Sequence, residues 1–232
     1  MIGSNLGDLF LAYWLSYFKL PTDTMPLKID DAVNKLREYF FACPWNEVYD
    51  FLEFTLQHSP PEFTRDFRSG CNAILERENA GYRIVGTQVT EITSDVEIDE
   101  IEQALASPVS GANQHLQSAL VLLSDRKKHD YRNSIKESIS AVEAVCRALA
   151  GDSKATLGAA LNVLQEKVGI HGALKAAFSS LYGYTSDEAG IRHAMLEEPN
   201  ITFADAKFML VSCSAFVTYV VGKAAEANLR LR

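Results

Sequence analysis

The sequence predicts a mainly α-helical protein with one small β-hairpin set among the helices. Three observations predict it. Apolar residues recur at helical spacing through most of the chain. Strand-type composition is confined to residues 82–92. Prolines, glycines and capping residues cut the remainder into helix-length pieces. The expected division is an N-terminal helical region with the hairpin, residues 1–108, and a C-terminal helical bundle, residues 109–232.

Residues 9–20 are rich in aromatics (Phe10, Tyr13, Trp14, Tyr17, Phe18) and close at Pro21. The segment carries almost no basic charge, so it reads as a docking helix rather than a membrane-surface anchor. A second helix spans residues 29–41, with Ile29, Val33, Leu36 and Phe40 expected inward. Pro44 opens a third in its first turn, where a missing N–H costs nothing. That helix carries Trp45, Val48, Tyr49 and Leu52 and ends near His58. Residues 63–78 form a fourth.

Residues 82–85 and 88–92 are β-type runs flanking Gly86-Thr87, the pattern of a hairpin with glycine at the turn. A two-stranded hairpin is marginal alone, so it must pack on the surrounding helices. Ser94 and Glu97 have capping-box spacing and start a helix through Ile98, Ile101 and Leu105. Residues 106–113, with Pro108 and Gly111, are the expected boundary between the two regions.

In the C-terminal region, His115, Leu116, Ala119, Leu120 and Leu123 form a helical stripe ending near Asp125. Residues 124–130 make a tight charged connection, which renders the flanking helices antiparallel neighbours. The helix that follows places Ile135, Ile139, Val142, Cys146 and Leu149 on one apolar stripe. Roughly opposite lie Asn133, Glu137, Ser140 and Arg147, with Lys136 and Glu143 beside them. Asn and Ser are poor helix formers, so this polar face is either an ordinary wet surface or one selected for contact. Gly151 ends the helix. Helices over residues 156–168 and 172–181 follow, and residues 182–195 start as a loop and end on a short helix or turn. Thr202 and Asp205 cap a last helix bearing Ala206, Met209, Leu210, Cys213, Phe216, Val217 and Val220 inward.

The chain has 232 residues, 47% of them hydrophobic, and a net charge of −8. That balance excludes nucleic-acid binding by bulk electrostatics but leaves room for a small basic site. No unbroken apolar run reaches the ~18 residues of a membrane span, and the first residues lack the basic start of a signal peptide. The four cysteines are widely spaced and form no CxxC pair, so free thiols in a reducing cytosol are expected. A phosphate loop, a nucleophile elbow, HExxH and zinc spacing are all missing. No metal and no cofactor are expected.

Asp187-Glu188-Ala189-Gly190-Ile191-Arg192-His193 concentrates chemistry-bearing side chains at a loop edge. Histidine moves protons near neutral pH, and arginine clamps phosphate. Equally, Arg192 could pair with Asp187 or Glu188, leaving His193 structural.

Leu123-Ser124-Asp125-Arg126 and the run Asp130 to Glu143 resemble the C-terminal half of bacterial abortive-infection proteins of the AbiJ type. So do residues 182–194 and 206–216. Residues 72–75 and 81–101 resemble the N-terminal domain that accompanies it. The C-terminal half of that family is similar to HEPN domains, helical bundles that often dimerise and frequently act as metal-independent ribonucleases. The resemblance implies a homodimer with RNA or a nucleotide as substrate, and the cysteines and hydropathy add the expectation of a cytoplasmic location and no membrane. It implies Arg192 and His193 as catalytic residues, with Asn133, Lys136, Glu137 and Asp187 lining the binding groove. The 2′-hydroxyl would attack the adjacent phosphate, with His moving protons and Arg stabilising developing charge. The usual HEPN pattern has Arg four to six residues ahead of His. Here Arg126 precedes His129 by three positions and Arg192 adjoins His193. The alternative is a non-catalytic dimerisation, interaction or sensor module.

Overall fold

The computed structural model describes residues 7–155, 157–186 and 201–231. The described residues are mainly helical, with one two-stranded antiparallel sheet. The chain forms two compact units, Met1–Glu91 and Ile92–Arg232.

The first unit is built on an aromatic core. Helix α1 (Gly7–Ala12) runs into a π-helical turn over Tyr13–Tyr17. Tyr13, Trp14, Leu9 and Phe51 are buried together, ringed by Tyr17, Phe18, Leu36, Tyr39, Phe40 and Phe54. The Tyr13 and Phe51 rings stack at 4.9 Å, one of the preferred aromatic arrangements. Helices α2 (Ile29–Ala42), α3 (Trp45–His58) and α4 (Pro61–Arg77) complete the helical part. Pro44 stands at the N-cap of α3 rather than inside its first turn.

The inward face of α2 differs from the expected one. Ala32 is fully buried and Leu36 and Phe40 pack inward, but Ile29 and Val33 are 40% and 48% exposed. The aromatic cluster draws Leu36, Tyr39 and Phe40 down, which turns the helix about one residue away from the Ile29–Val33 side.

The hairpin pairs β1 (Arg83–Val85) with β2 (Gln88–Thr90), and Gly86 takes a φ of +57° at the turn. Its outer edges are sealed by helix side chains. Asn72 on α4 accepts from the Ile84 N–H at 2.7 Å and donates to the Ile84 carbonyl at 2.8 Å. Glu53 on α3 accepts from the Val89 N–H at 2.7 Å. Outward backbone groups that would otherwise need water or another strand are thereby satisfied. Leu56, Ile84 and Val89 bury a second apolar cluster beneath.

The second unit contains α5 (Asp95–Leu105), α6 (Ser110–Ser124), α7 (Tyr131–Ala150), α8 (Leu157–Val168), α9 (Gly172–Ser186) and α10 (Phe203–Glu226). Ser94 sits at the N-cap of α5, but its side chain makes no capping hydrogen bond. The capping box at α10 is complete: Thr202 and Asp205 bond each other's backbone N–H groups. α9 continues through Ser186, so residues 182–186 are helical rather than the start of a loop.

Helix α7 is central, packing against α6, α8 and α10. All five residues of its expected apolar stripe are buried. Gly151 closes it in the left-handed conformation, φ +72°, a frequent helix stop. By length and composition α10 could cross a membrane. Its Met209, Leu210, Cys213, Phe216, Val217 and Val220 are buried in this unit, and it packs on α5, α6 and α7.

Candidate functional site

The polar face of α7 divides into two ends. Asn133 and Arg147 stand fourteen positions apart, or about 21 Å of helix, so one small ligand cannot touch both.

At the N-terminal end, Asp130 caps α7. Its carboxylate accepts from the Asn133 backbone N–H at 3.0 Å and from the Asn133 side-chain amide at 2.7 Å. This is the N-cap arrangement that satisfies an orphan helix donor. The His129 ring stacks on Tyr131 at 5.2 Å, and Tyr131 meets Phe203 edge-on at 6.3 Å. The start of α10 therefore abuts the start of α7. Asp125, in the turn before α7, accepts from the backbone N–H groups of Lys127 and Lys128. Those bonds hold its carboxyl below the usual carboxylate range.

One turn further along, Glu137 reaches across to α6. Its Oε2 lies 2.7 Å from Nδ1 of His115. A carboxylate only accepts, so Nδ1 is the donor in this contact. The pair is part-exposed, with 41% of the histidine side chain accessible. Lys136 beside it is half-buried and has no hydrogen-bond or ion-pair partner among the described residues.

At the C-terminal end, Arg147 is a clamp. Its Nε donates to the Ala155 carbonyl at 2.8 Å, and Nη2 lies 3.2 Å from the buried Glu143 carboxylate. A cleft of about 640 Å³ opens beside it, lined by Pro108, Val109, Gly111, Arg147 and Gly151 among others.

The remaining sequence-predicted site residues, Asp187, Arg192 and His193, lie outside the described residues, as does the Arg192–His193 pairing with Asn133 or Glu137. Among the described residues no group of three or more His, Cys, Asp or Glu could hold a metal ion.

His115 was expected on the apolar stripe of α6; it stands instead in the polar pair with Glu137. The signal lies in the hairpin register. In an antiparallel helical hairpin, facing residues have nearly constant number sums. Ser134 Oγ donates to the Ala119 carbonyl and the Asp130 N–H to the Leu122 carbonyl, and Gly111 stands against Ala144 so closely that a Cβ there would touch the alanine methyl. Extending that register from the tight turn at 124–130 brings position 115 opposite position 137.

No curated protein and no solved structure matches the chain. Residues 5–107, which take in the helices and hairpin of the first unit and α5, match the family model AbiJ N-terminal domain 4. Over that stretch the chain is similar to the N-terminal domain of AbiJ abortive-infection proteins, and this supports an AbiJ-type assignment.

Proposed function

We propose that this protein is an effector of bacterial abortive-infection defence whose C-terminal unit, an HEPN-like bundle, cuts RNA without a metal. The observation that carries the defence reading is the AbiJ N-terminal domain match over residues 5–107. The ribonuclease reading rests on the resemblance of residues 123–143, 182–194 and 206–216 to the C-terminal half of AbiJ-type proteins. In this reading the protein is a cytoplasmic homodimer. Arg192 stabilises the phosphorane-like charge and His193 transfers protons, while Asn133, Lys136, Glu137 and Asp187 line the groove. Lys136, half-buried and without a hydrogen-bond or ion-pair partner among the described residues, supports it as a cation for a phosphate.

A second reading, a non-catalytic interaction or sensor module, has its own support. Asn133 and Glu137 are both tied to partners within the chain, Asp130 and His115. Both therefore have structural work that needs no substrate.

The deciding experiment incubates purified protein with total cellular RNA, with and without EDTA, beside Arg192→Ala and His193→Ala. Cleavage that persists in EDTA and is lost in both variants, at unchanged melting temperature, is the expected result. Intact RNA with wild-type protein under all conditions leaves the interaction-module reading, and full activity in His193→Ala overturns the site.

A further inference from the structure

Among its described residues the first unit holds an open apolar groove. Leu9 and Phe10 of α1, Val33 and Phe40 of α2, and Phe63 and Phe67 of α4 contribute to its walls. Its volume is about 460 Å³, inside the roughly 300–1,000 Å³ range of small-molecule sites. Tyr13 and Thr55 supply the polar atoms of the floor, and both hydroxyl protons are already committed. Tyr13 donates to Thr55 Oγ1 at 2.5 Å, and Thr55 donates to the Phe51 carbonyl at 2.7 Å. The interior thus offers a guest apolar contact and no free donor.

The rim is different. Arg37 is the one charged residue among those that line the groove, and its guanidinium lies 5.0 Å from the Phe41 ring centre. It pairs with no carboxylate among the described residues. Phe41 is 71% exposed, Val33 48% and Phe63 38%. Large apolar side chains left in water around a concave wall mark a place where something binds. An apolar pocket of small-molecule size with a single cation at its mouth, one that meets no carboxylate among the described residues, selects an apolar chain ending in an anion.

We propose that this groove binds a single-chain anionic amphiphile, an alkyl carboxylate in class, with the chain against the aromatic walls and the carboxylate on Arg37. Nothing in this proposal depends on RNA cleavage.

Isothermal titration of the full-length protein with octanoate, decanoate and dodecanoate, each below its micelle concentration, tests it. One-to-one binding should tighten about fourfold per methylene, the burial increment for one CH₂, until the groove is full. Decanoate should bind better than decanol by roughly two- to fivefold, the range of an exposed ion pair, and Arg37→Gln should erase that preference while keeping the alcohol. Val33→Glu sets a like charge against the anion at a half-exposed position, so it should abolish carboxylate binding with an unchanged melting temperature. The proposal is overturned if no chain length saturates, or if Val33→Glu binds decanoate as wild type does. It is equally overturned if Arg37→Gln still prefers the carboxylate. A concentration-dependent dimer that Val33→Glu disrupts, with no amphiphile bound, would instead make the groove a contact between copies.

Discussion

Ser134 and Ser138 are buried on α7, and each has a hydrogen-bond partner: Ser134 Oγ donates to the Ala119 carbonyl at 2.8 Å, and Ser138 Oγ to the Ser134 carbonyl at 2.9 Å. Poor helix formers persist here because small hydroxyls let α6 and α7 approach while leaving no donor unpaired. Asn133 is explained the same way, through Asp130. Two cysteines show the opposite use of burial. Burial pushes the Cys146 thiol up to about 12, helped by the nearby Glu143 carboxylate, and burial alone pushes Cys213 up to about 12. An unfolded thiol ionises near ~8.5. Both groups therefore contribute stability that is fully present below that pH and is lost as pH rises from there towards 12. Iodoacetamide mapping of native protein at pH 8 should leave Cys146 and Cys213 unlabelled, and denaturation midpoints should fall between pH 9 and 11. Rapid labelling of either in the native state would contradict their burial.

The α6–α7 hairpin shows how much of an element pair can be read from a turn. A connection of residues 124–130 makes the helices antiparallel, and the number-sum register then brings position 115 opposite 137. What composition cannot supply is which way the pair turns, because His115 fits both an apolar stripe and a polar rim. The His115–Glu137 pair is part-exposed, so its coupling should be small. A double-mutant cycle of His115→Ala and Glu137→Gln, read by urea denaturation at neutral pH, should give about 0.2–1 kcal/mol. Loss of RNA cleavage in either variant at that modest stability change would mark the pair as chemistry; unchanged cleavage would mark it as a strut. Capping shows the same limit. Ser94 and Thr202 each precede an acid at the third position, yet only Thr202 forms the reciprocal bonds. Pattern supplies the residues, and the side-chain rotamer decides whether they meet. The turn of α2 away from Ile29 and Val33 has a packing cause: bulky Leu36, Tyr39 and Phe40 pack on the aromatic cluster, and Ala32 is fully buried.

For the whole molecule, a net charge of −8 constrains any RNA reading. A groove using two cations, Lys136 and Arg192, should give a slope of about −1.4 in log affinity against log salt for single-stranded RNA, from ~0.7 per phosphate. Fluorescence anisotropy across a salt series measures it, and a slope steeper than about −4 would require a basic footprint that this proposal does not contain. The two functional ideas also separate cleanly. His193→Ala addresses RNA cleavage, and Val33→Glu addresses the apolar groove of the first unit.

The mainly helical class, the hairpin with glycine at its turn, the buried face of α7, the buried face of α10 and its Thr202–Asp205 cap are determined by the sequence itself. Each depends on local periodicity or on backbone chemistry that one residue type supplies. Only the tertiary structure decides that Asn72 and Glu53 seal the hairpin edges, that Val33 faces a groove, and that His115 joins Glu137. Those facts depend on residues 12 to 36 positions apart, or on which of two competing faces an aromatic cluster claims. Such choices are made by packing and hydrogen-bond satisfaction across elements, which no local window contains.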